Sequence, residues 1–275
     1  MDERAKRLTV LAVLVVCCTL AGAQAIDVPL RVESSRGSRS TMAGDFALDG
    51  QQYHMSFSVS SDGPAKSKPG MVYFTANKDE GYMDWQAFPD VLGVGGKLFR
   101  VQFEGKRVAL TPFEGDVGAV SLALETQRVS LMQRSRPGSV LLYRPGLRTV
   151  LPVGKYILRE YQLEHKDSSG TPWYLCARGG DNSPVLEVVK DKDKVAALNI
   201  GGPYVPMASI NERSLRNFKS GSSKDLRLDF VLQGVRQENA AQVYPIGRRN
   251  RSSPPSFTIR DDSNAIVARG SFRYG

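Results

Sequence analysis

The sequence predicts an all-β fold of antiparallel, β-sandwich-like (Ig-like) domains in tandem, with little helix. Three observations carry this expectation. Short runs alternate apolar and polar residues, as Tyr53, Met55, Phe57 and Val59 do against His54, Ser56, Ser58 and Ser60. That period of two marks a strand with one buried face. Turn residues such as Arg136-Pro137-Gly138 and Arg144-Pro145-Gly146 separate the runs at roughly 8–12 residues, the rhythm of sandwiches and barrels. No stretch beyond about a dozen residues holds the helical apolar period.

The first residues predict export. Arg4, Lys6 and Arg7 precede an apolar run from Leu8 to Leu20, and Ala23-Gln24-Ala25 follows. A basic segment, an apolar segment and an A-x-A site make a signal peptide over residues 1–25. The run is shorter than the ~20 residues needed to span a bilayer. Lipidation at Cys17 or Cys18 is the alternative, with Val16 where a bacterial lipobox has a small residue. Cleavage leaves a chain long enough for one large or two ordinary domains. Only Cys176 remains of the three cysteines, so the fold must rest on its core rather than on disulfides. The chain is basic, with a formal charge of +9, which biases it toward anionic partners.

The strands are expected in order. Val28, Leu30 and Val32 alternate, then Ser34–Gly44 lacks an apolar period and reads as a loop. Tyr53–Val59 and Met71–Phe74 are strands. Around Trp85 and Phe88 a short helical turn is expected. Gly93-Val94-Gly95-Gly96-Lys97 reads as a flexible lead into a strand, since Leu98 stands where a phosphate loop has Ser or Thr. Phe99–Phe103 and Val108–Leu110 form a hairpin about Glu104-Gly105-Lys106. A domain boundary is placed within Glu114–Gly118, giving units 26–116 and 117–275, the second dividing near Ser183.

Beyond it, Val120–Leu124, Val129–Met132 and Val140–Tyr143 lead to the longest run, Leu151–Leu163. Thr171–Ala177, Val185–Val189, Val195–Ile200 and Tyr204–Ile210 continue the pattern. Asn211–Gly221 is polar, with room for one helical turn. Leu226, Leu228, Phe230 and Leu232 are expected to face inward against Arg227 and Asp229. A hairpin closes the chain, with Phe257 and Ile259 leading in and Ile266, Ala268, Gly270, Phe272 and Tyr274 returning on one face. Gly270 suggests a bulge or a close neighbour.

Leu151-Pro152-Val153-Gly154-Lys155-Tyr156 resembles the L-P-x-G-x-Y start of a strand in carboxypeptidase-regulatory-like and PEGA-type β-sandwich modules. The resemblance covers six residues and implies a fold, not an activity. The C-terminal hairpin, from Phe257 to Gly275, is similar to that of uncharacterised exported bacterial all-β proteins, which carry no activity to transfer.

Candidate chemistry is sparse. Cys176 follows His165 across a hairpin turn, so the two are candidates for a thiolate–imidazole pair, as a secreted hydrolase or transpeptidase would use. The flanking Trp173, Tyr174 and Leu175 favour a packed core thiol. No cofactor and no metal are expected. The EF-hand template fails around Gly81, and zinc ligands are too few and scattered. Asp191 and Asp193, like Asp261-Asp262-Ser263-Asn264, suit Asx-turns better than calcium. The strongest local feature is basic: Arg248, Arg249 and Arg251 sit between Gly247 and Ser252-Ser253-Pro254-Pro255. Three guanidinium groups on a loop can clamp phosphate, sulfate or carboxylate. No nucleic-acid-binding signature is present. The expected function is a non-catalytic exported binding or scaffolding module, periplasmic, envelope-bound or extracellular. Its expected partners are anionic envelope polymers or another envelope protein.

Overall fold

A computed structural model describes residues 24–36, 39–60, 69–76, 86–135, 138–166, 168–180, 183–245 and 256–271. The described chain is mostly strand with one short helix, as the apolar period of two predicts.

The opening strands are β1 (Ile26–Pro29), β2 (Arg31–Arg36), β3 (Arg39–Leu48), β4 (Gln51–Ser60), β5 (Met71–Thr75) and β6 (Gln86–Ala87). The last five form one sheet in sequence order. Two expectations are corrected here. Ser34–Gly44 is a hairpin rather than a loop, because backbone pairing from Arg31↔Ala43 to Arg36↔Arg39 needs no apolar side chain where the ribbon runs out into solvent. The described part of the expected helical turn, Gln86–Ala87, instead pairs with β5; Trp85 lies outside the described residues.

Next come β7 (Val91–Val94), β8 (Lys97–Phe103) and β9 (Arg107–Pro112). Gly95 and Gly96 have φ of 58° and 73°, the two positive values that a two-residue type I′ hairpin requires. The flexible lead expected there is therefore a tight turn between β7 and β8. The hairpin predicted about Glu104-Gly105-Lys106 is present, with Phe103 paired to Val108.

The middle of the chain supplies β10 (Val117–Leu122), β11 (Arg128–Gln133), β12 (Ser139–Tyr143), β13 (Arg148–Pro152), β14 (Gly154–Lys166) and β15 (Pro172–Arg178). After these come β16 (Leu186–Val188), β17 (Val195–Leu198) and β18 (Val205–Ile210). The helix α1 (Glu212–Lys219) follows, then β19 (Leu228–Gln233), β20 (Asn239–Pro245), β21 (Ser256–Arg260) and β22 (Ile266–Ser271). The helix has two turns rather than the single one expected. Asn211 starts it by accepting a hydrogen bond from the Ser214 amide at 3.1 Å, an N-cap that frees the chain from needing apolar residues to begin a helix.

A twelve-stranded sheet runs β1-β9-β8-β7-β12-β11-β14-β15-β20-β19-β18, with β16 alongside β14. The expected antiparallel pattern is broken twice: β7 pairs with β12, and β10 with β17, in parallel. Both pairs join strands far apart in sequence, which is what a parallel register demands. None of the described sheets closes on itself.

Two apolar cores lie on opposite faces of the long sheet. On one face Leu92, Val94, Phe99, Val101, Val108 and Leu110 pack with Phe46, Tyr53, Met55, Phe57 and Phe74 of the five-stranded sheet. On the other, Val129, Leu131, Leu158, Tyr161 and Leu163 pack with Val120, Leu122, Leu151 and Leu198 of the small sheet β13-β10-β17. Strand β12 serves both, giving Leu141 and Tyr143 to the first and Val140 and Leu142 to the second. Each buried side chain of this size contributes about 1.5–3 kcal/mol. Phe46, Tyr53, Phe74 and Tyr143 form an aromatic cluster with centroids 5.0–6.1 Å apart, and the Tyr143 hydroxyl accepts from the Ala76 amide at 2.8 Å.

Strand β14 is central, as its unbroken sequence suggests. It pairs with β11, β15 and β16. Its face opposite the second core carries a buried carboxylate, Glu160, which accepts from Gln86 Nε2 at 3.0 Å and from Arg178 Nε at 3.1 Å. Arg128 Nη2 lies 3.6 Å from the same carboxylate.

Candidate functional site

The structure separates the two residues singled out for thiol chemistry. Register pairs Cys176 with Gln162 and His165 with Trp173, three positions further along the same ladder. An odd offset in a strand puts side chains on opposite faces. Cys176 is fully buried beside Tyr174, whereas His165 is exposed. The thiol and imidazole do not meet. His54 is buried between Asp45, 2.7 Å from Nδ1, and Ser56, 3.0 Å from Nε2. The acidic turns close on their own backbone. Asp261 Oδ1 accepts from the amides of Ser263 and Ala265, both at 2.9 Å, and the Ser263 hydroxyl above all, with these amides, holds its carboxyl below the usual range. Arg248, Arg249 and Arg251 lie outside the described residues.

His165 borders a cleft of about 510 Å³ together with Thr126, Gln127, Arg144, Glu164 and Lys166. Gln127 bridges charges of opposite sign there: its Nε2 donates to Glu164 at 2.7 Å and its Oε1 accepts from Arg144 at 2.8 Å. Gln127, Glu164 and Arg144 thus satisfy one another, whereas the buried Thr126 hydroxyl has no hydrogen-bond partner among the described residues.

A different surface stands out by where the core stops. Among the described residues, the last buried apolar side chain is Ile200. From Gly201 onward the described strands still carry apolar side chains, yet none whose burial is described is buried. Val205, Met207, Ile210, Phe218, Leu226, Val231 and Val235 are all exposed. Helix α1 buries no residue either.

The ribbon β18–β19 shows the consequence most clearly. Register pairs Pro206 with Leu232, Ala208 with Phe230 and Ile210 with Leu228, and these six share one face. All are apolar. In the single chain Leu228, Phe230 and Leu232 are only half-buried, and the facing β18 residues are exposed. The alternation read as inward-facing is thus met only in part: none of the three is fully buried. Strand β18 is also the sheet edge, and its six residues carry no charge. Edges are ordinarily blunted by charge or proline; here only Pro206 serves.

A buried polar latch fixes this extension to the core. Glu238 is fully buried in the turn before β20. Its Oε1 accepts from the Tyr161 hydroxyl at 2.8 Å and the Gly201 amide at 3.2 Å, and its Oε2 accepts from the Arg236 amide at 2.6 Å. Since Tyr161 gives its proton to Glu238, the Tyr204 hydroxyl, 2.7 Å away, donates to Tyr161. Burial above all, with Tyr204 and Glu238 nearby, holds the Tyr161 hydroxyl far above its ordinary pKa. Burial also raises Tyr204 and lowers Arg236. The Arg236 guanidinium donates to the Pro184 carbonyl at 2.6 Å. Tyr161 belongs to β14, so the latch ties the coreless segment to the central strand. Sequence reading missed Glu238: a single acid after Arg236-Gln237 looks like any solvated turn, and only the glycines Gly201 and Gly234 on its two docking loops hint at close backbone approach.

No protein-family model matches the chain, and no curated protein or solved structure matches it.

Proposed function

We propose that the protein is an exported, non-catalytic binding or scaffolding module of the cell envelope or extracellular space. The observation that carries this reading is the C-terminal segment latched to a well-packed body, whose edge strand β18 is uncharged and exposed along its whole length. Exposed contiguous apolar faces mark interaction sites. We read the body as two sandwich-like units that share the long sheet, one on each face, which supports the expected sandwich architecture. The N-terminal basic and apolar segments support export.

A photo-crosslinking side chain placed at Ile210 (45% exposed) in the compartment where the protein accumulates tests the reading. Adducts are expected there and not at Val32, which is more exposed but lies on β2, the edge strand of the five-stranded sheet. Equal labelling at both, or none at Ile210, overturns it. Anionic polymers such as sulfated or uronic glycans and teichoic-type phosphates are the second class of partner, through Arg248, Arg249 and Arg251. Changing all three to Ser is expected to weaken retention on an anionic resin more than three Lys→Ser changes elsewhere. Equal losses would leave net charge alone as the cause.

A further inference from the structure

Strands β18 and β19 are joined by α1 and the segment that returns from it, residues 211–227, all of them described. This tip is folded on itself. The Ser214 hydroxyl accepts from the Arg227 amide at 2.7 Å and donates to the Asp225 carbonyl at 3.3 Å, and Asn211 Nδ2 donates to Asp229 at 3.1 Å. The tip carries Arg213, Arg216, Lys219, Lys224 and Arg227 against Glu212 and Asp225. That net charge of +3 is a third of the chain's formal +9, held in seventeen residues. All five cations are exposed. Arg216 lies 3.8 Å from Glu212 and Arg227 lies 3.0 Å from Asp229. Arg213, Lys219 and Lys224 meet no carboxylate among the described residues. Apolar side chains stand among these cations. Leu215 and Phe218, three positions apart, share one side of α1, and Lys219, four after Leu215, borders them. Leu215 is half-buried, whereas Phe218 is 46% exposed and Leu226, on the returning segment, 42%.

We propose that the tip 211–227 docks on a bilayer surface rich in anionic phospholipid. This rests on the binding reading above and names the partner. Charge complementarity selects it. Five cations would be costly to bury in an apolar protein interface, because each would leave water without a partner. An acidic polymer would meet the cations but gives Phe218 and Leu226 nothing to enter. The headgroup region of an anionic bilayer offers both at one depth, phosphate for the guanidinium and ammonium groups and acyl chains just below for the apolar side chains. Lys219, beside Leu215 and Phe218, can lay its stem along them while its ammonium stays at the headgroups. Helix α1 is about 12 Å long, too short to cross a bilayer, so it lies in the surface and the contact is reversible. Each cation brought to such a surface gains roughly fivefold in affinity, and salt weakens that gain by screening.

Co-sedimentation with vesicles, using protein recovered from the compartment where it accumulates, tests this. Binding is expected to vesicles of phosphatidylcholine with phosphatidylglycerol, to exceed binding to phosphatidylcholine alone at least tenfold, and to fall as salt rises. Arg213→Ser, Lys219→Ser and Lys224→Ser together should weaken it at least tenfold. Lys190→Ser, Lys192→Ser and Lys194→Ser, three exposed cations between β16 and β17, remove the same charge and should cost far less. Phe218→Ser, which changes no charge, should weaken vesicle binding about tenfold yet leave retention on a sulfated resin unchanged. Phe218→Trp should keep binding, with its emission moving to the blue on anionic vesicles alone. Equal binding to both kinds of vesicle, equal losses from the two triple variants, or indifference to Phe218→Ser overturns the proposal. Vesicles left unbound while Ile210 still forms adducts to a protein would overturn it and leave the binding reading in place.

Discussion

Tyr161→Phe removes one oxygen from the latch and keeps the ring that fills the second core. The lost hydroxyl donates at 2.8 Å to Glu238 and accepts at 3.0 Å from the Gly201 amide. The amide keeps a partner, since Glu238 Oε1 is 3.2 Å away. Tyr204 is half-buried, so water can replace its acceptor. What remains uncompensated is one hydrogen bond to a buried carboxylate, about 1.5–3 kcal/mol. We expect a loss of about 2 kcal/mol in urea unfolding of the full chain. With a slope of about 3 kcal/mol per M for a chain of this size, the midpoint should fall by roughly 0.7 M. A loss under about 0.5 kcal/mol, the ordinary range for a surface change, would show that the latch does not bear on the fold and would refute the reasoning.

Two further outcomes follow from the same structure. Gly118→Ala would place a Cβ 2.1 Å from the Val189 carbonyl oxygen and 2.7 Å from Val188 Cγ1; backbone cannot rotate aside, so a thermal unfolding scan should show a loss of about 2 kcal/mol or more. Gly180→Ala, with nothing within 4 Å, should leave the unfolding temperature in place, and equal effects at both sites would remove crowding as the cause. The pH dependence comes from Tyr53, Tyr161 and Tyr204, all raised chiefly by burial. A raised folded pKa contributes stability that is complete below the ordinary tyrosine value of about 10 and is lost as pH rises above it. Unfolding free energy should therefore fall above about pH 10, and less steeply in Tyr161→Phe; an identical slope in both proteins would contradict the assignment.

Much of the fold is legible because one rule, alternation, governs it. The run Leu151–Leu163 announces β14, and Glu104-Gly105-Lys106 announces the β8–β9 turn. The rule fails where pairing is made by backbone alone, as in polar Ser34–Gly44, and where conformation resides in glycine φ values, as at Gly95-Gly96. It also cannot say whether an interior exists. Leu228, Phe230 and Leu232 alternate as cleanly as Phe99 and Val101, yet only the latter are buried. The latch was hidden for a different reason: Tyr161, Gly201, Tyr204 and Glu238 are brought together by tertiary contacts over as many as 77 positions, and no spacing records that.

The central claim is that the described strands from Gly201 onward have no core of their own. Amide hydrogen exchange followed by mass spectrometry tests it most directly. Core strands β11 and β14 should exchange only through global opening. Strands β18, β19, β21 and β22 should exchange orders of magnitude faster. Protection of β18–β19 equal to that of β14 would contradict the account.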